Sequence, residues 1–248
     1  MKAPAAAPLL VFVISMAPAA AAGQLIDELP RQQARQHYRN GQELMFAEQF
    51  AKAAGEFQKA VTLDPLLTLA HYGLGQSYMA QKRYASAVQA FIACREAYQR
   101  IFGLRQGNRI ASDRMAEDEI RELRDAIAMY RGGRVKGYST GDSKIAQLEA
   151  RVDELERMRQ LPVDRHQTPA ELSLALGSAY FRNGDIADAE REWKAAVTVN
   201  GRLGEAHNNL AVVYLMTKRK KEAEDAVRAA ERAGFRVHPQ LKEDIRGL

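Results

Sequence analysis

The sequence predicts an all-α protein in which a helical repeat is interrupted by a helical hairpin. Only 7% of the 248 side chains are aromatic, whereas Ala, Glu, Arg and Leu, which favour helices, are abundant. Small and large side chains recur with a period of 34 residues. Between two blocks of this repeat, apolar residues follow the heptad spacing of paired helices.

The composition also limits the class of protein. A hydrophobic share of 46% and a single Cys exclude a disordered chain and a disulfide scaffold. The net charge of +5 comes from 36 basic and 31 acidic residues. This excess is small and dispersed, so we expect no nucleic-acid partner.

The N-terminus has the pattern of a secretory signal peptide. A basic start at Lys2 precedes an apolar run over residues 9–16, and an alanine stretch ends at Ala22. The apolar run is roughly half of the about 20 residues that a membrane span needs. We therefore predict a signal peptide over residues 1–22 cleaved after Ala22, a periplasmic or secreted protein without an integral membrane span, and an N-terminal lead over residues 23–33.

The 34-residue period is clearest at three positions of the repeat frame. Positions 8 and 27 hold small residues, and position 24 holds a large one. Small residues let two antiparallel helices approach closely, while the large residue fills the space between them. Position 8 holds Gly41, Gly75, Gly177 and Ala211, position 24 holds Phe57, Phe91, Trp193 and Val227, and position 27 holds Ala60, Cys94, Ala196 and Ala230.

These positions resemble the tetratricopeptide repeat family. The resemblance implies a solenoid of two-helix repeats, with repeats 1 and 2 over residues 34–101 and repeats 3 and 4 over residues 170–237. Residues 238–248 are expected to form a capping helix with a polar outer face. The resemblance also implies a protein or peptide partner, without identifying it.

The family resemblance further implies where such a ligand lies. The first helices of the repeats line a concave groove, into which positions 5, 9 and 12 project. Here these positions are apolar, aromatic or amide, which suits an extended peptide, and the residues of the family's carboxylate clamp are absent. In an alternative interpretation, part of this stripe packs against the inserted hairpin or the N-terminal segment. The predicted peptide-binding residues are Tyr38, Gln42, Met45, Tyr72, Gln76, Met79, Leu174, Phe181 and Asn208.

Residues 102–169 interrupt the repeats and span 68 residues, two repeat lengths. Two heptad-like seams flank a segment with four glycines, which predicts an antiparallel helical hairpin. One interpretation makes the hairpin an intramolecular spacer. The other makes the protein an assembly component that self-associates as a homo-oligomer through residues 108–160. The seams comprise Ala116, Ile120, Leu123, Ile127 and Tyr130, and then Ile145, Leu148, Val152 and Leu155.

The sequence shows no catalytic motif. It lacks G-x-S-x-G, H-E-x-x-H, C-x-x-C and a phosphate-binding glycine loop. Cys94 falls at a packing position, and His37, His71 and His207 share position 4 on helices too far apart to hold one metal. The basic run over residues 218–221 is interpreted as a solvated turn, with an acidic envelope surface as the alternative. We expect no enzyme, cofactor or metal, and our leading hypothesis is an exported scaffold for a protein or peptide of the cell envelope.

Overall fold

A computed structural model describes residues 28–107, 109–132, 141–160 and 168–248. The predicted signal peptide and residues 23–27 of the predicted lead lie outside these ranges. All regular elements within them are α-helices. The helices are α1 (Glu28–Phe46), α2 (Phe50–Leu63), α3 (Thr68–Ala80), α4 (Tyr84–Gly107), α5 (Arg109–Arg131), α6 (Gly141–Gln160), α7 (Ala170–Asn183), α8 (Ile186–Val199), α9 (Gly204–Met216), α10 (Lys220–Arg232) and α11 (Pro239–Arg246).

The predicted helical-repeat solenoid is confirmed. Helices pack as consecutive pairs, α1 with α2, α3 with α4, α7 with α8, and α9 with α10. Three of the four repeats begin at the residue that the frame predicts, whereas α1 begins at Glu28, inside the predicted lead. Helix α4 likewise continues to Gly107, past the predicted end of repeat 2, and so reaches the base of the hairpin.

Glycine at position 8 is explained by the aromatic ring at position 24. A Cβ placed on Gly75 would lie 2.5 Å from the ring of Phe91, and one on Gly177 would lie 2.6 Å from Nε1 of Trp193. Repeat 4 pairs Ala211 with the smaller Val227, and both are buried. The two positions therefore share one volume, and a larger residue at one requires a smaller residue at the other.

The turn inside each repeat uses the same backbone conformation. Position 15 is left-handed in all four repeats, with φ between 56° and 97°. Only repeat 3 places a glycine there, which adopts this conformation without strain. The residues at position 15 are Glu48, Lys82, Gly184 and Lys218.

The inserted segment folds as a helical hairpin of α5 and α6. The pairs Arg124–Glu156 and Arg131–Glu149 join the two helices with the antiparallel spacing. Leu69 of α3 packs on the apolar seam between them, so the hairpin lies against the repeats. The seam cluster contains Ile120, Leu123, Ile127, Val152 and Leu155, with Ile145 and Leu148 at its edge.

Helix α11 closes the C-terminal end of the repeats. Ile245 is buried in the same apolar cluster as Val227 and Ala230 of α10. Pro239 begins the helix at its first position, where the missing backbone N–H would have no partner within the helix in any case.

None of the helices in the described ranges is both long enough and apolar enough to span a bilayer.

Candidate functional site

The predicted peptide-binding residues of repeat 1 lie close to the hairpin. Tyr38 is only 3% exposed, and its hydroxyl accepts a hydrogen bond from Gln42 Nε2 at 2.6 Å. Burial raises the pKa of Tyr38, and the negative charges of Glu122 and Glu119 of α5 raise it further. A side chain this buried offers an external ligand almost no surface.

Two further predicted residues hold neighbouring helices together. Met45 accepts a hydrogen bond on its sulfur from the Ser77 hydroxyl of α3 at 3.0 Å. Met79, at the equivalent position of repeat 2, packs on the cluster that joins α4 to α7. Both are half-buried, and their principal contacts lie between helices of the protein itself.

The predicted aromatic and leucine residues of repeats 2 and 3 also pack internally. The Tyr72 ring lies 5.4 Å from that of Phe91, and the Phe181 ring lies 5.6 Å from that of Trp193. Trp193 Nε1 donates to the main-chain oxygen of Leu174 at 3.2 Å. The three predicted side chains, Tyr72, Phe181 and Leu174, are half-buried, so each retains an exposed edge on the first-helix surface.

The polar members of the predicted set are the ones most available to a ligand. Gln76 hydrogen-bonds Tyr72 on the same helix and remains partly exposed. Asn208 of α9 is half-buried. Amide groups can donate to and accept from the backbone of an extended peptide. The binding role of these residues stays a prediction.

Two acidic residues near this surface were missed in the sequence. Glu171 and Glu205 share position 2 of repeats 3 and 4, and both help to raise the pKa of Tyr72 after the larger effect of its burial. Burial also raises the pKa of Glu205 itself. The first-helix surface of the C-terminal repeats is therefore acidic at one end.

Salt bridges join α1 to α5 along a line where two rows of charged residues face each other. We call these rows the arginine stripe and the acidic stripe. The arginine stripe is Arg31, Arg35 and Arg39 of α1, and the acidic stripe is Asp118, Glu122 and Asp125 of α5. Residues three or four apart lie on one face of a helix, so each stripe forms a single row of charge. The two rows meet in register.

The first half of this line is almost fully buried. Asp118 Oδ2 accepts from Arg31 at 2.6 Å and from Arg35 at 3.1 Å. Arg31 also lies 3.7 Å from Asp64, at the end of α2. Burial raises the pKa of Asp64, although the two arginines oppose this effect.

The second half of the line is a bidentate pair. Arg39 Nε and Nη2 donate to the two oxygens of Glu122, each at 2.9 Å, and Arg39 also reaches Asp125 at 3.3 Å. The Glu122 side chain is 1% exposed and that of Arg39 is 42% exposed. Burial raises the pKa of Glu122 despite these hydrogen bonds, so this carboxylate depends on Arg39 for its charge balance.

A second buried cluster lies on Glu119 of α5. It accepts from the Thr68 hydroxyl at 3.0 Å, from the Tyr98 hydroxyl at 3.2 Å and from Arg151 of α6 at 3.0 Å. Arg151 also donates to the Tyr98 hydroxyl at 2.8 Å. This cluster connects the hairpin with α3 and α4, and sequence periodicity gives no signal for it.

The three histidines at position 4 contact turns and carboxylates. His71 Nε2 lies 3.0 Å from the Pro65 oxygen, and His207 Nε2 lies 3.0 Å from the Gly201 oxygen, in equivalent turns between repeats. His37 Nδ1 instead lies 2.7 Å from Glu56. Burial lowers the pKa of His71. Each ring therefore stabilises a local turn or helix pair.

Cys94 and the basic run also have structural contacts. Cys94 is fully buried, its thiol donates to the Thr68 oxygen at 3.3 Å, and burial raises its pKa, which disfavours the thiolate. Arg219, within the basic run, pairs with Glu190 at 2.8 Å and lies 4.2 Å above the Tyr214 ring. The run is therefore partly committed to the packing of repeats 3 and 4.

Paired antiparallel helices with a shared small-to-large packing rule define a helical-repeat protein. The sequence matches the tetratricopeptide repeat family over residues 38–99 and 174–234, on either side of the hairpin. The chain therefore contains tetratricopeptide repeats in both halves. No curated protein matches the chain significantly.

Two solved structures are similar to this chain at low identity. One is YrrB, described as a TPR protein with an unusual peptide-binding site; it is 15% identical, with a TM-score of 0.30, over 86% of this chain and 91% of that chain. The other is the APC/C hetero-tetramer Cut9–Hcn1, 15% identical, with a TM-score of 0.29, over 91% of this chain and 44% of that chain.

Proposed function

We propose that the protein is an exported scaffold that binds a protein or peptide of the cell envelope through the first-helix surface of repeats 2 to 4. Tetratricopeptide repeats generally mediate protein–protein interactions. The observation that carries the proposal is the partial exposure of Gln76, Phe181 and Asn208 on the first helices of repeats 2, 3 and 4, which offers amides and an apolar edge to an extended chain.

Export is proposed from the sequence of residues 1–22, which lie outside the described structure. Expression of the full chain in a Gram-negative host should yield a protein that begins at Gly23 in the periplasmic fraction. Mass spectrometry of the intact protein measures this directly. A cytoplasmic product that retains residues 1–22 would contradict export and leave the repeat surface untouched.

The partner surface is tested by capture from envelope extract. The variant Gln76→Arg/Asn208→Arg places two bulky cations on the surface, and it should lose the partner that the wild type retains. Gln89→Arg/Gln99→Arg, at two exposed positions of α4, is the matched control and should retain it. Equal capture by all three proteins would reject the assigned surface. Tyr38 and Tyr72 are less suitable for substitution, because their loss would also damage packing.

Self-association through the hairpin is the second candidate function. The apolar seam of residues 120–155 is buried within one chain, which supports the interpretation of the hairpin as an intramolecular element. Sedimentation velocity of the wild type against a deletion of residues 108–160 separates the two. A wild-type dimer that the deletion converts to a monomer would favour assembly, and a wild-type monomer would exclude it.

A further inference from the structure

The contact between α1 and α5 differs in character from the contacts within the repeats. Inside a repeat, apolar side chains such as Phe57 and Ala60 fill the space between helices. Between α1 and α5, the principal contacts are the arginine and acidic stripes, with a single aromatic pair, Phe46 and Tyr130, at 4.8 Å. Among the described residues, α5 is therefore attached to α1 mainly by charge.

Such a contact is specific but contributes little net free energy of binding. The desolvation of a buried ion pair offsets most of its Coulombic attraction, so the matched pair adds little net stability. A buried charge that is left without its partner in the same place is strongly destabilising. The arginine stripe thus selects an acidic helix without binding it irreversibly.

The position of α5 is also the position that a ligand would take. In the repeat frame, Tyr38 occupies position 5, which is predicted to line the groove. Arg35 lies one helical turn before it and Arg39 directly follows it. Tyr38 is 3% exposed, and its helix neighbours Arg35 and Arg39 pair with Asp118 and Glu122 of α5. An amphipathic helix in a groove is an established mode of peptide recognition, with contacts at i, i+4 and i+7. Asp118, Glu122 and Asp125 have this spacing.

We propose that α5 is a tethered ligand of repeat 1, and that the arginine stripe binds an acidic amphipathic helix of a partner protein once α5 is displaced. The inference goes beyond the proposed function, because it gives repeat 1 a binding surface of its own and names the chemical class of its ligand, a helix with carboxylates at i, i+4 and i+7. Because α5 belongs to the same chain, its effective concentration is on the order of millimolar, so it competes strongly with any free helix.

The test uses α5 itself as the probe. A fluorescein-labelled synthetic peptide of residues 113–131 is titrated against the mature full-length protein and followed by fluorescence anisotropy. The opened variant, Asp118→Asn/Glu122→Gln/Asp125→Asn, weakens the internal contact. It should bind the peptide at least tenfold more tightly than the wild type, because its internal competitor has lost the acidic stripe.

Two controls separate stripe recognition from other contacts of the peptide, whose apolar side could also bind α6. A peptide with the same three acids changed to amides should bind the opened variant at least tenfold more weakly. Addition of Arg35→Gln/Arg39→Gln to the opened variant should cause a similar loss, whereas Glu243→Gln, at an exposed position of α11, should change nothing. Equal affinity of the acidic and amide peptides, or of the wild type and the opened variant, would overturn the proposal.

A second measurement covers the case in which the opened variant does not fold, as checked by circular dichroism. Hydrogen exchange of the wild type with excess acidic peptide should increase in α5 and remain unchanged in α8. No change in α5 at saturating peptide would reject displacement. The capture experiment on Gln76 and Asn208 is independent of these results, so failure here leaves the scaffold proposal intact, and failure there leaves this peptide test to stand alone.

Discussion

The two halves of the repeat domain follow the same frame but present opposite charges on their first helices. At position 2, repeat 1 has Arg35, whereas repeats 3 and 4 have Glu171 and Glu205. The basic surface of the N-terminal half is neutralised by the acidic stripe of α5. The ion pairs and buried hydrogen bonds that attach the hairpin to the repeats lead to α1, α3 and α4, all in that same half. The repeat domain therefore carries a basic surface that pairs with α5 and an acidic surface of its own.

This difference shows that the charge of the first-helix surface can vary independently of the packing between the helices of a repeat. Positions 8 and 24 are filled in the same way in repeats 1 and 3, by Gly41 under Phe57 and Gly177 under Trp193. Positions 2 and 6 lie outside that contact and can change charge without disturbing it. The consequence is a common core beneath two surfaces of different charge.

The largest expected effect comes from position 6, where Arg39 of repeat 1 corresponds to Asn209 of repeat 4. Arg39→Ala leaves Glu122 buried without its partner and should lower the free energy of unfolding by about 3 kcal/mol at pH 7. Asn209→Ala should change it by less than about 0.5 kcal/mol. Urea denaturation measures both, and Arg124→Ala, in an exposed pair with Glu156, is a control for the loss of one arginine.

The pH dependence of the stability of Arg39→Ala tests whether the buried Glu122 carboxylate causes the loss. Burial already raises the pKa of Glu122, and removal of Arg39 raises it further. The folded state then takes up a proton at a higher pH than the unfolded state, so the deficit of Arg39→Ala should shrink as the pH falls from 7 towards 5. A deficit that grows in acid, or one below about 1 kcal/mol at pH 7, contradicts the buried pair as described.

An intermediate loss of stability is expected from the contact between the glycine at position 8 and the aromatic ring at position 24, which both halves share. Gly75→Ala places a methyl group against the Phe91 ring and should cost about 2 kcal/mol, since overpacking typically costs 1–3. Phe91→Val should rescue it, because repeat 4 already combines Ala211 with Val227. Thermal unfolding of the two single variants and the double variant should show a favourable coupling of about 1 kcal/mol or more.

Gly55→Ala is the matched control for the glycine substitution. Nothing lies within 4 Å of a Cβ placed on Gly55, which is exposed in α2. Alanine is a better helix former there, so this variant should gain about 0.5–1 kcal/mol. Equal losses in Gly55→Ala and Gly75→Ala would show that the aromatic ring is not the cause.

The smallest expected loss of stability comes from position 23, where repeats 1 and 4 differ. Glu56 accepts from His37 and Lys59, which lower its pKa to about 2, whereas repeat 4 has Ala226 at this position. Because the pKa of Glu56 is lower in the folded state, the ionised carboxylate stabilises the protein at pH values above its ordinary pKa of 4.5. That stability is lost as the pH falls towards 2.

Melting temperatures from pH 6 to pH 2 test this assignment. Glu56→Gln should lower stability at pH 6 by about 1 kcal/mol, because much of the interaction is screened near the surface. The difference from wild type should vanish by pH 2. The exposed Glu43→Gln is the matched control, and a Glu56→Gln deficit that persists at pH 2 would argue against the carboxylate as its source.

The repeat core could be predicted from the sequence because its determinants are local. The 34-residue spacing predicts the starts of α3, α7 and α9, and the heptad spacing identifies Ile120, Leu123 and Val152 as parts of one seam. Both patterns depend on neighbours within one helix or between adjacent helices. The extension of α1 to Glu28 was not predicted, since the frame describes a repeat and not the helix that begins before it.

The contact of the hairpin with repeat 1 could not be predicted in the same way. Asp118 and Arg31 are 87 residues apart, and no period relates them. A signal was nevertheless present, because Arg31, Arg35 and Arg39 form a row on one helix and the acidic stripe forms a matching row on another. The alternative that part of the first-helix surface packs on the hairpin was left open by the sequence, and the ion pairs of Arg35 and Arg39 with α5 support it for repeat 1.

The single tryptophan of the chain gives the C-terminal half its own spectroscopic reporter. Trp193 is 2% exposed, packs against Gly177 and donates a hydrogen bond to the main-chain oxygen of Leu174, all within repeat 3. Its emission therefore responds to the packing of repeats 3 and 4, while the far-ultraviolet circular dichroism of the chain responds to every helix. Recorded on one sample during denaturation, the two signals would coincide if both halves unfold together. They would separate if the half with the tethered hairpin unfolds on its own.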